Sequence, residues 1–210
     1  MKSEWLWNKL ATGWDKPGVS LGENDIKILS KTKKYLDGSS TVLDYGCATG
    51  SIVLELAKQA KEVYGLDISA KMLEKAQSKA AGKSNIRFIH GTIEDSRLKE
   101  KSFDIITAFS ILHLTDDYRQ AIQRIQFLLK PGGYLITEAP CLGENIFPNI
   151  LQNIPVTILS RIGLLQKLSA FSSNQLKDTI SQTGFQVMEY EYMSVRPLTV
   201  VFCAARKQVL

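Results

Sequence analysis

Cysteine is scarce in this chain, and its few residues are too far apart to form a metal or disulfide motif. The 210 residues include Cys47, Cys141 and Cys203, with no C-x-x-C pair and no cysteine–histidine spacing. A structural zinc site needs grouped Cys or His ligands, and a disulfide framework needs an even number of cysteines. We therefore expect no bound metal and a reducing, cytoplasmic location.

Long apolar runs are also absent. The sequence has no stretch of about 18 apolar residues, and its N-terminal segment MKSEWLWNKLATGWDK lacks the apolar core of a secretory signal. No internal repeat or low-complexity linker interrupts it. With 44% hydrophobic and 22% charged residues, the composition is typical of a globular domain without a transmembrane segment.

Basic residues are in moderate excess, with a formal net charge of +5, but they are not strongly clustered. The densest basic run is Lys31, Lys33 and Lys34, which we interpret as the solvated face and C-terminal turn of a helix, where cations favour the helix dipole. Nucleic-acid binding requires a concentrated basic surface. We therefore expect a small-molecule substrate and no nucleic-acid partner, for a monomer or homodimer.

Short apolar runs alternate with helical patterns between residues 41 and 139, as a doubly wound α/β fold requires. We predict that a helix over 23–36 precedes this core, and that a helix over 173–182 and an antiparallel pair follow it. The predicted sheet is mostly parallel and seven-stranded. Strands are predicted at 41–45, 62–67, 86–90, 103–109, 133–138, 185–192 and 198–205, and core helices at 50–60, 69–81 and 116–129, the last ended by Pro131 just after Lys130.

The domain organisation follows from this pattern. We predict one domain comprising N-terminal helices that act as a lid over 1–38, a cofactor-binding core over 39–139, an apolar helical cap insertion over 140–172, and a C-terminal helix and strand pair over 173–210.

The first strand ends in a glycine-containing turn, where an open parallel sheet places its ligands. The turn reads Asp44-x-Gly46-x-Ala48-x-Gly50, and Asp67 ends the second strand 21 positions after Gly46. Small residues let a ligand approach the backbone, amides opening the next helix suit a carboxylate or a phosphate, and an acid at the second strand can bind both hydroxyls of a ribose. The turn lacks the G-x-G-x-x-G spacing of dinucleotide folds, although Asp67 suits either type of cofactor.

Four segments in order, VLDYGCATG, YGLDIS, FDIITAFSILHL and LLKPGGYLI, resemble the successive motifs of class I S-adenosylmethionine-dependent methyltransferases, which have a Rossmann-like fold. The resemblance covers roughly residues 40 to 140 and implies S-adenosylmethionine as cofactor. The N-terminal WNKLATGWD resembles the segment before the core in quinone-biosynthesis-type methyltransferases. The residues that the resemblance places around the cofactor are Asp44, Gly46, Cys47 and Gly50 at the methionine part, Asp67 at the ribose, Ile68, Met72, Thr92 and Ile93 at the adenine, Phe109 and Ser110 at the sulfonium end, and Trp14 as a cover.

Two departures from the family pattern affect the cofactor site. Ala48 replaces a glycine often found in the loop, and Thr92 stands where an aspartate commonly binds the adenine amino group. The acids Glu94 and Asp95 lie close enough in the sequence to replace that aspartate.

Methyl transfer needs a general base only when the acceptor carries a proton. His113 follows the fourth predicted strand, where chemistry would occur, and an imidazole titrates near neutrality, so it is the candidate base. A helix-capping or structural role for His113 is the alternative, and His90 is expected to be structural.

The predicted insertion is unusually apolar. Its segment NIFPNILQNIPVTILSRIGLLQKL contains only two charges, Arg161 and Lys167. Such a segment could cap an apolar substrate cavity, pack in a dimer or rest on a membrane. We favour the cap, and therefore predict a small apolar or aromatic methyl acceptor.

Three alternatives to this function stay open from the sequence. An NAD-dependent oxidoreductase would share the sheet and the ribose acid. A non-catalytic S-adenosylmethionine-binding module would keep the same fold. Thiol-dependent methylation would require the three cysteines to converge, which their positions disfavour.

Overall fold

The computed structural model describes residues 2–15, 21–144, 168–194 and 198–209. Its centre is a seven-stranded sheet with the strand order β3-β2-β1-β4-β5-β7-β6, in which β7 runs antiparallel to both of its neighbours. The predicted doubly wound, mostly parallel α/β sheet is confirmed. The strands are β1 (Thr41–Tyr45), β2 (Glu62–Asp67), β3 (Ile86–His90), β4 (Phe103–Phe109), β5 (Leu129–Pro140), β6 (Phe185–Ser194) and β7 (Val200–Lys207).

Helices cover both faces of this sheet. They are α1 (Lys2–Leu10), α2 (Glu23–Thr32), α3 (Ser51–Leu56), α4 (Ala70–Lys79), α5 (Tyr118–Leu128) and α6 (Ser173–Gln182), with single 3₁₀ turns at Ala11–Gly13, Lys33–Tyr35 and Leu112–Leu114. Side chains cap the N-termini of several helices, as at α4, where Ser69 Oγ accepts a hydrogen bond from the Met72 amide.

Alternate residues of the central strands belong to two separate cores. Val42 and Ile105 pack under α2 and α3, whereas Leu43 and Ile106 pack on the other side with α5 and α6. Because a strand alternates its side chains between faces, a sheet covered on both faces needs continuous apolar runs such as TVLDY and FDIITAF. The first and last residues of these two runs are also the observed bounds of β1 and β4.

The end of α5 differs from the prediction. The helix was predicted over 116–129 but spans Tyr118–Leu128, and β5 already begins at Leu129, with Pro131 inside the strand. A residue before proline is pushed away from helical geometry, so Lys130 cannot continue the helix. The strand pairing is irregular here, with a register shift between Phe103 and Ile105 of β4.

The basic run at the C-terminal end of α2 is less solvated than predicted. Lys31 has a side chain that is only 13% exposed, and it forms ion pairs with Glu189 and Glu191 of β6 at 2.5 and 2.6 Å. The α-helix also ends at Thr32, and Lys33 lies in a 3₁₀ turn. Lys31 therefore fastens α2 to the far edge of the sheet.

The apolar part of the predicted cap, residues 145–167, lies outside the described residues. Within the ranges that the structure describes, no helix is long and apolar enough to cross a membrane.

Candidate active site at the C-terminal ends of β1, β2 and β4

The turn after β1 requires its glycines. Gly46 has φ +78°, and a Cβ atom there would lie 2.9 Å from the Ile111 side chain. Gly50 has φ +77° and precedes α3, with the Ala76 Cβ 2.9 Å from the position of an added Cβ. Ala48 adopts φ +46°, which explains why glycine suits this position.

Asp67 holds that turn against the end of β2. Its Oδ2 accepts a hydrogen bond from the Ala48 amide at 2.9 Å, and its Oδ1 accepts one from the Ser69 amide at 2.8 Å. Burial raises the pKa of Asp67, and these backbone hydrogen bonds partly oppose the rise. A carboxylate can accept about four hydrogen bonds, so capacity for two ribose hydroxyls remains.

A cavity of about 410 Å³ opens beside Asp67, within the size range of small-molecule sites. It lies where β1 and β4 are neighbours and the strand order reverses, as expected for an open α/β sheet. The residues predicted to bind the cofactor that line it are Trp14, Gly46, Asp67, Ile68, Met72, Thr92, Ile93, Phe109 and Ser110.

Other lining residues were missed by the sequence reasoning. Tyr45 directly precedes Gly46, a position that could have been inferred from the motif. Trp7, Ala48, Leu66, Ile111 and Leu114 stand in the quoted segments without having been assigned to the cofactor, and Gly91 directly precedes Thr92. Glu94 was expected here only as a replacement for the missing aspartate. The remainder come from the first helix and from the segment after β4, and no motif points to them; they are Ser3, Thr115, Asp116, Asp117, Gln120 and Ala121.

Asp44 was predicted at the cofactor but is buried behind the cavity wall. Its Oδ1 accepts a 2.7 Å hydrogen bond from the Thr107 hydroxyl of β4, and it does not line the cavity. Burial raises its pKa to about 7; the Thr107 hydrogen bond opposes this rise and the charge of Asp67 adds to it. Asp44 therefore joins β1 to β4 beneath the site.

Cys47 and Gly50 also lie outside the cavity lining. The Cys47 side chain is buried in the core under α2 and α3, whereas Cys141 and Cys203 belong to the core on the other face. The three thiols therefore cannot form one site. No residue of α3 lines the cavity.

His113 lies in the 3₁₀ turn after β4, and its imidazole is not among the described side chains that line the cavity. Burial lowers its pKa to about 4, away from the neutral range expected of it. Its Nδ1 atom is buried without a hydrogen-bond partner among the described residues. This position does not support the predicted catalytic role.

Glu94 and Asp95, the two acids that follow Thr92 in the sequence, have different surroundings in the structure. Glu94 lines the cavity, with its carboxylate 3.7 Å from Arg124. Asp95 instead pairs with Arg97 at 2.7 Å, and the hydrogen bonds from Arg97 hold its pKa at about 2. Of these two acids, Glu94 is the one positioned to replace the missing aspartate.

Residues 2–15 lie over the cavity as a second wall. Trp7 and Trp14 both line it and meet edge to face, with ring centroids 5.9 Å apart. Trp5, in contrast, does not line the cavity, and its side chain is 63% exposed.

Polar contacts fix this N-terminal segment to the core at both ends. The Asn8 side chain accepts hydrogen bonds from the Ser69 hydroxyl at 2.7 Å and from the Lys71 amide at 3.1 Å. Asp15 accepts hydrogen bonds from Thr49 at 2.8 Å and Lys79 at 2.9 Å. The segment is thereby joined to the cofactor turn and to both ends of α4.

The donor set of the cavity fits S-adenosylmethionine. Asp67, Glu94, Asp116 and Asp117 contribute carboxylates, and none of the described lining residues is Lys, Arg or His. Opposite charges attract strongly in a partly desolvated cavity, so this lining favours a positively charged sulfonium compound. The apolar side chains of Ile68, Met72 and Ile93 supply surfaces suited to an adenine ring.

A seven-stranded sheet of this order with a cavity at its switch point defines the Rossmann-like methyltransferase fold. A solved structure of the [4+2]-cyclase SpnF superposes with a TM-score of 0.72 at 19% identity, covering 88% of this chain and 82% of that chain, which shows the shared fold.

Sequence comparison gives the family. The family model described as "Methyltransferase domain" matches residues 36–187, and the chain belongs to this family. The chain is 31% identical over 185 residues to the uncharacterized methyltransferase YcgJ of Bacillus subtilis, covering 84% of this chain and 72% of the relative. It is 28% identical over 208 residues to a demethylmenaquinone methyltransferase of Lactococcus lactis, covering 89% and 82%. The protein is an S-adenosylmethionine-dependent methyltransferase, which excludes the NAD-dependent alternative.

Proposed function

We propose that this chain transfers the methyl group of S-adenosylmethionine to a small apolar or aromatic acceptor. The observation that carries the proposal is the aromatic and aliphatic wall formed by Trp7, Trp14, Phe109, Ile111 and Leu114, in a cavity where no described lining residue is cationic. An anionic acceptor would lose its hydration there without gaining a positive partner. An uncharged aromatic ring would lose little hydration free energy on entering the cavity.

The chain's own groups in this proposal bind, orient and exclude water. When bound, S-adenosylmethionine supplies an electrophilic methyl group on sulfur. Asp67 accepts hydrogen bonds from the ribose hydroxyls, and Ile68 and Met72 contact the adenine. Trp7 and Trp14 exclude water from the side of the cavity where the acceptor binds. Their rings also hold the acceptor atom in line with the methyl group that is transferred.

The name of the Lactococcus lactis relative suggests the first acceptor to test, a demethylated quinone. We expect labelled S-adenosylmethionine to methylate a short-chain demethylmenaquinone analogue or a related phenol. Phosphorylated and carboxylated acceptors of similar size should give no product. Methylation of the anionic acceptors alone would overturn the proposal, and an Asp67→Ala variant serves as the control for background transfer.

Several finer features belong to the same proposal. We infer a cytoplasmic protein, supported by three buried, free cysteines. We also propose that the chain forms one domain in which residues 140–172 cap the substrate cavity. It is a monomer or a homodimer, and it does not bind nucleic acid. Light scattering at several concentrations measures the oligomeric state, and a mass above that of a dimer would contradict this part.

A further inference from the structure

The outward side of α1 is apolar, although the helix already buries its other side. At about 100° per residue, Trp7, Ala11, Glu4 and Asn8 form one arc, which faces the cavity and α4. Trp5, Leu6, Lys9 and Leu10 form the opposite arc; Trp5 is 63% exposed and Leu10 is 44% exposed. We call these four residues the α1 outer face.

The α1 outer face carries one cation, Lys9, and no acid. Glu4 lies 3.2 Å from His90, and Asp15 is engaged by Lys79, so the acids of this segment are occupied. Within the described part of the chain, Lys9 and Lys71 form no ion pair, and the Lys9 ammonium lies 5.3 Å from the centre of the Trp5 ring. A tryptophan, leucines and an unpaired lysine on one arc are the residue types that helices place at a lipid interface.

We propose that the α1 outer face docks the protein onto an anionic lipid surface. Trp7, on the opposite arc of the same helix, lines the cavity, so docking would hold the cavity one helix diameter, roughly 10 Å, from the lipid. An apolar acceptor leaving the bilayer would then have a short path to the cavity. This inference goes beyond the proposed function, because the docking needs neither methyl donor nor acceptor.

Co-sedimentation of the full chain with vesicles tests the docking. One vesicle preparation contains phosphatidylcholine only, and the other also contains phosphatidylglycerol. We expect binding to the second preparation, weakened by salt, since each lysine near an anionic surface contributes about 1 kcal/mol, roughly fivefold in affinity. No binding to vesicles containing phosphatidylglycerol would overturn the proposal.

A pair of double variants assigns the binding to this face. Trp5→Ser with Leu10→Ser should lower vesicle affinity by about tenfold or more, because two large apolar side chains are lost. The control is Phe127→Ser with Met188→Ser, which removes exposed apolar side chains on α5 and on β6, the strand at the opposite edge from β3. The control should bind as the wild type does, and an equal loss in both double variants would refute the assignment.

Light scattering distinguishes a lipid surface from a second copy of the chain. If the α1 outer face covers another copy, the wild type will be a dimer without vesicle binding and the Trp5/Leu10 variant a monomer. That result would also overturn the proposal. Circular dichroism confirms that each variant is folded, so a loss of binding cannot be attributed to unfolding.

Discussion

The carboxylate of Asp15 lies 2.8 Å from the Thr49 hydroxyl, which joins the N-terminal segment directly to the turn after β1. Lys79 donates to both groups at 2.9 Å. Burial raises the pKa of Asp15, but the hydrogen bonds from Lys79 and Thr49 outweigh that effect and hold the pKa below its ordinary value. The wall that carries Trp7 and Trp14 is thus fastened to the cofactor turn by an ionised carboxylate.

Removing Lys79 should loosen that wall. For Lys79→Met we expect S-adenosylhomocysteine to bind about 2- to 10-fold more weakly, because a hydrogen bond to a charged but partly exposed group is lost. Isothermal titration calorimetry measures the effect. Lys75→Met is the matched control, since Lys75 lies 3.9 Å from the other Asp15 oxygen and should matter less. Equal affinities for wild type and Lys79→Met would show that the contact does not position the segment.

Asp67 should contribute most to donor binding. Replacement by Ala removes the ribose acceptor and both backbone hydrogen bonds, so affinity for S-adenosylhomocysteine should fall by about 1–3 kcal/mol. Asp67→Asn keeps an acceptor oxygen and should lose less. A folded Asp67→Ala variant with unchanged affinity would refute the assignment of Asp67 to the ribose.

Asp44 should make stability depend on pH. Unfolded, this carboxyl titrates near pH 3.9, whereas its folded pKa is about 7. Between these values the folded state holds more protons, so the free energy of unfolding falls as pH rises. Asp44→Asn removes this dependence and keeps an acceptor for Thr107. The free energy of unfolding of Asp44→Asn, minus that of the wild type, should therefore increase on the order of 1.4 kcal/mol per pH unit from pH 4 to 7. Urea unfolding at several pH values measures this difference. A constant difference across that range would contradict the raised pKa.

His113 should be dispensable for chemistry. Losing a general base costs about 100-fold or more in rate, whereas His113→Gln should leave kcat/KM within a few-fold of wild type, because the imidazole does not line the cavity. Its lowered pKa makes the folded state bind fewer protons than the unfolded state between pH 6.5 and about 4. The wild type should therefore lose stability toward acid more steeply than the variant. A loss of activity in a folded His113→Gln protein would restore the catalytic assignment.

Glu138 should position the end of β4. The Ser110 hydroxyl donates to its Oε2 at 2.7 Å, and Ser110 adopts a left-handed φ of +49° at the cavity wall. Glu138→Leu removes the acceptor and should lower kcat/KM by roughly tenfold, about 1–2 kcal/mol. Glu138→Gln retains an acceptor and should restore most of the activity. If both variants lose activity equally, the carboxylate charge matters more than the hydrogen bond.

The sequence was most informative where a local pattern determines structure. β-branched and aromatic runs between turn residues predicted β1 to β4 with the observed bounds, and the glycine turn with Asp67 located the cavity. Contacts between distant residues could not be predicted. Lys31 meets Glu189, 158 positions away, and Asp15 meets Thr49, 34 positions away, only after the chain has folded.

Side-chain direction was the second limit of the sequence. His113, Cys47 and Asp44 all stand in motifs at the correct edge of the sheet, yet none of the three lines the cavity. A strand alternates its faces, and a 3₁₀ turn rotates each residue by about 120°, so position in a motif does not determine direction.

Because all three native thiols are buried, the protein is suited to site-specific labelling at a single introduced cysteine. Cys47, Cys141 and Cys203 are buried and free, and burial raises the pKa of Cys141 and of Cys203 to about 12. Because thiolates are the species that react with maleimides, the native cysteines should react slowly. A single cysteine introduced at Trp5 would then carry a spin or fluorescent label without deleting any native residue of the core. Such a probe would report the position of the N-terminal segment through the catalytic cycle.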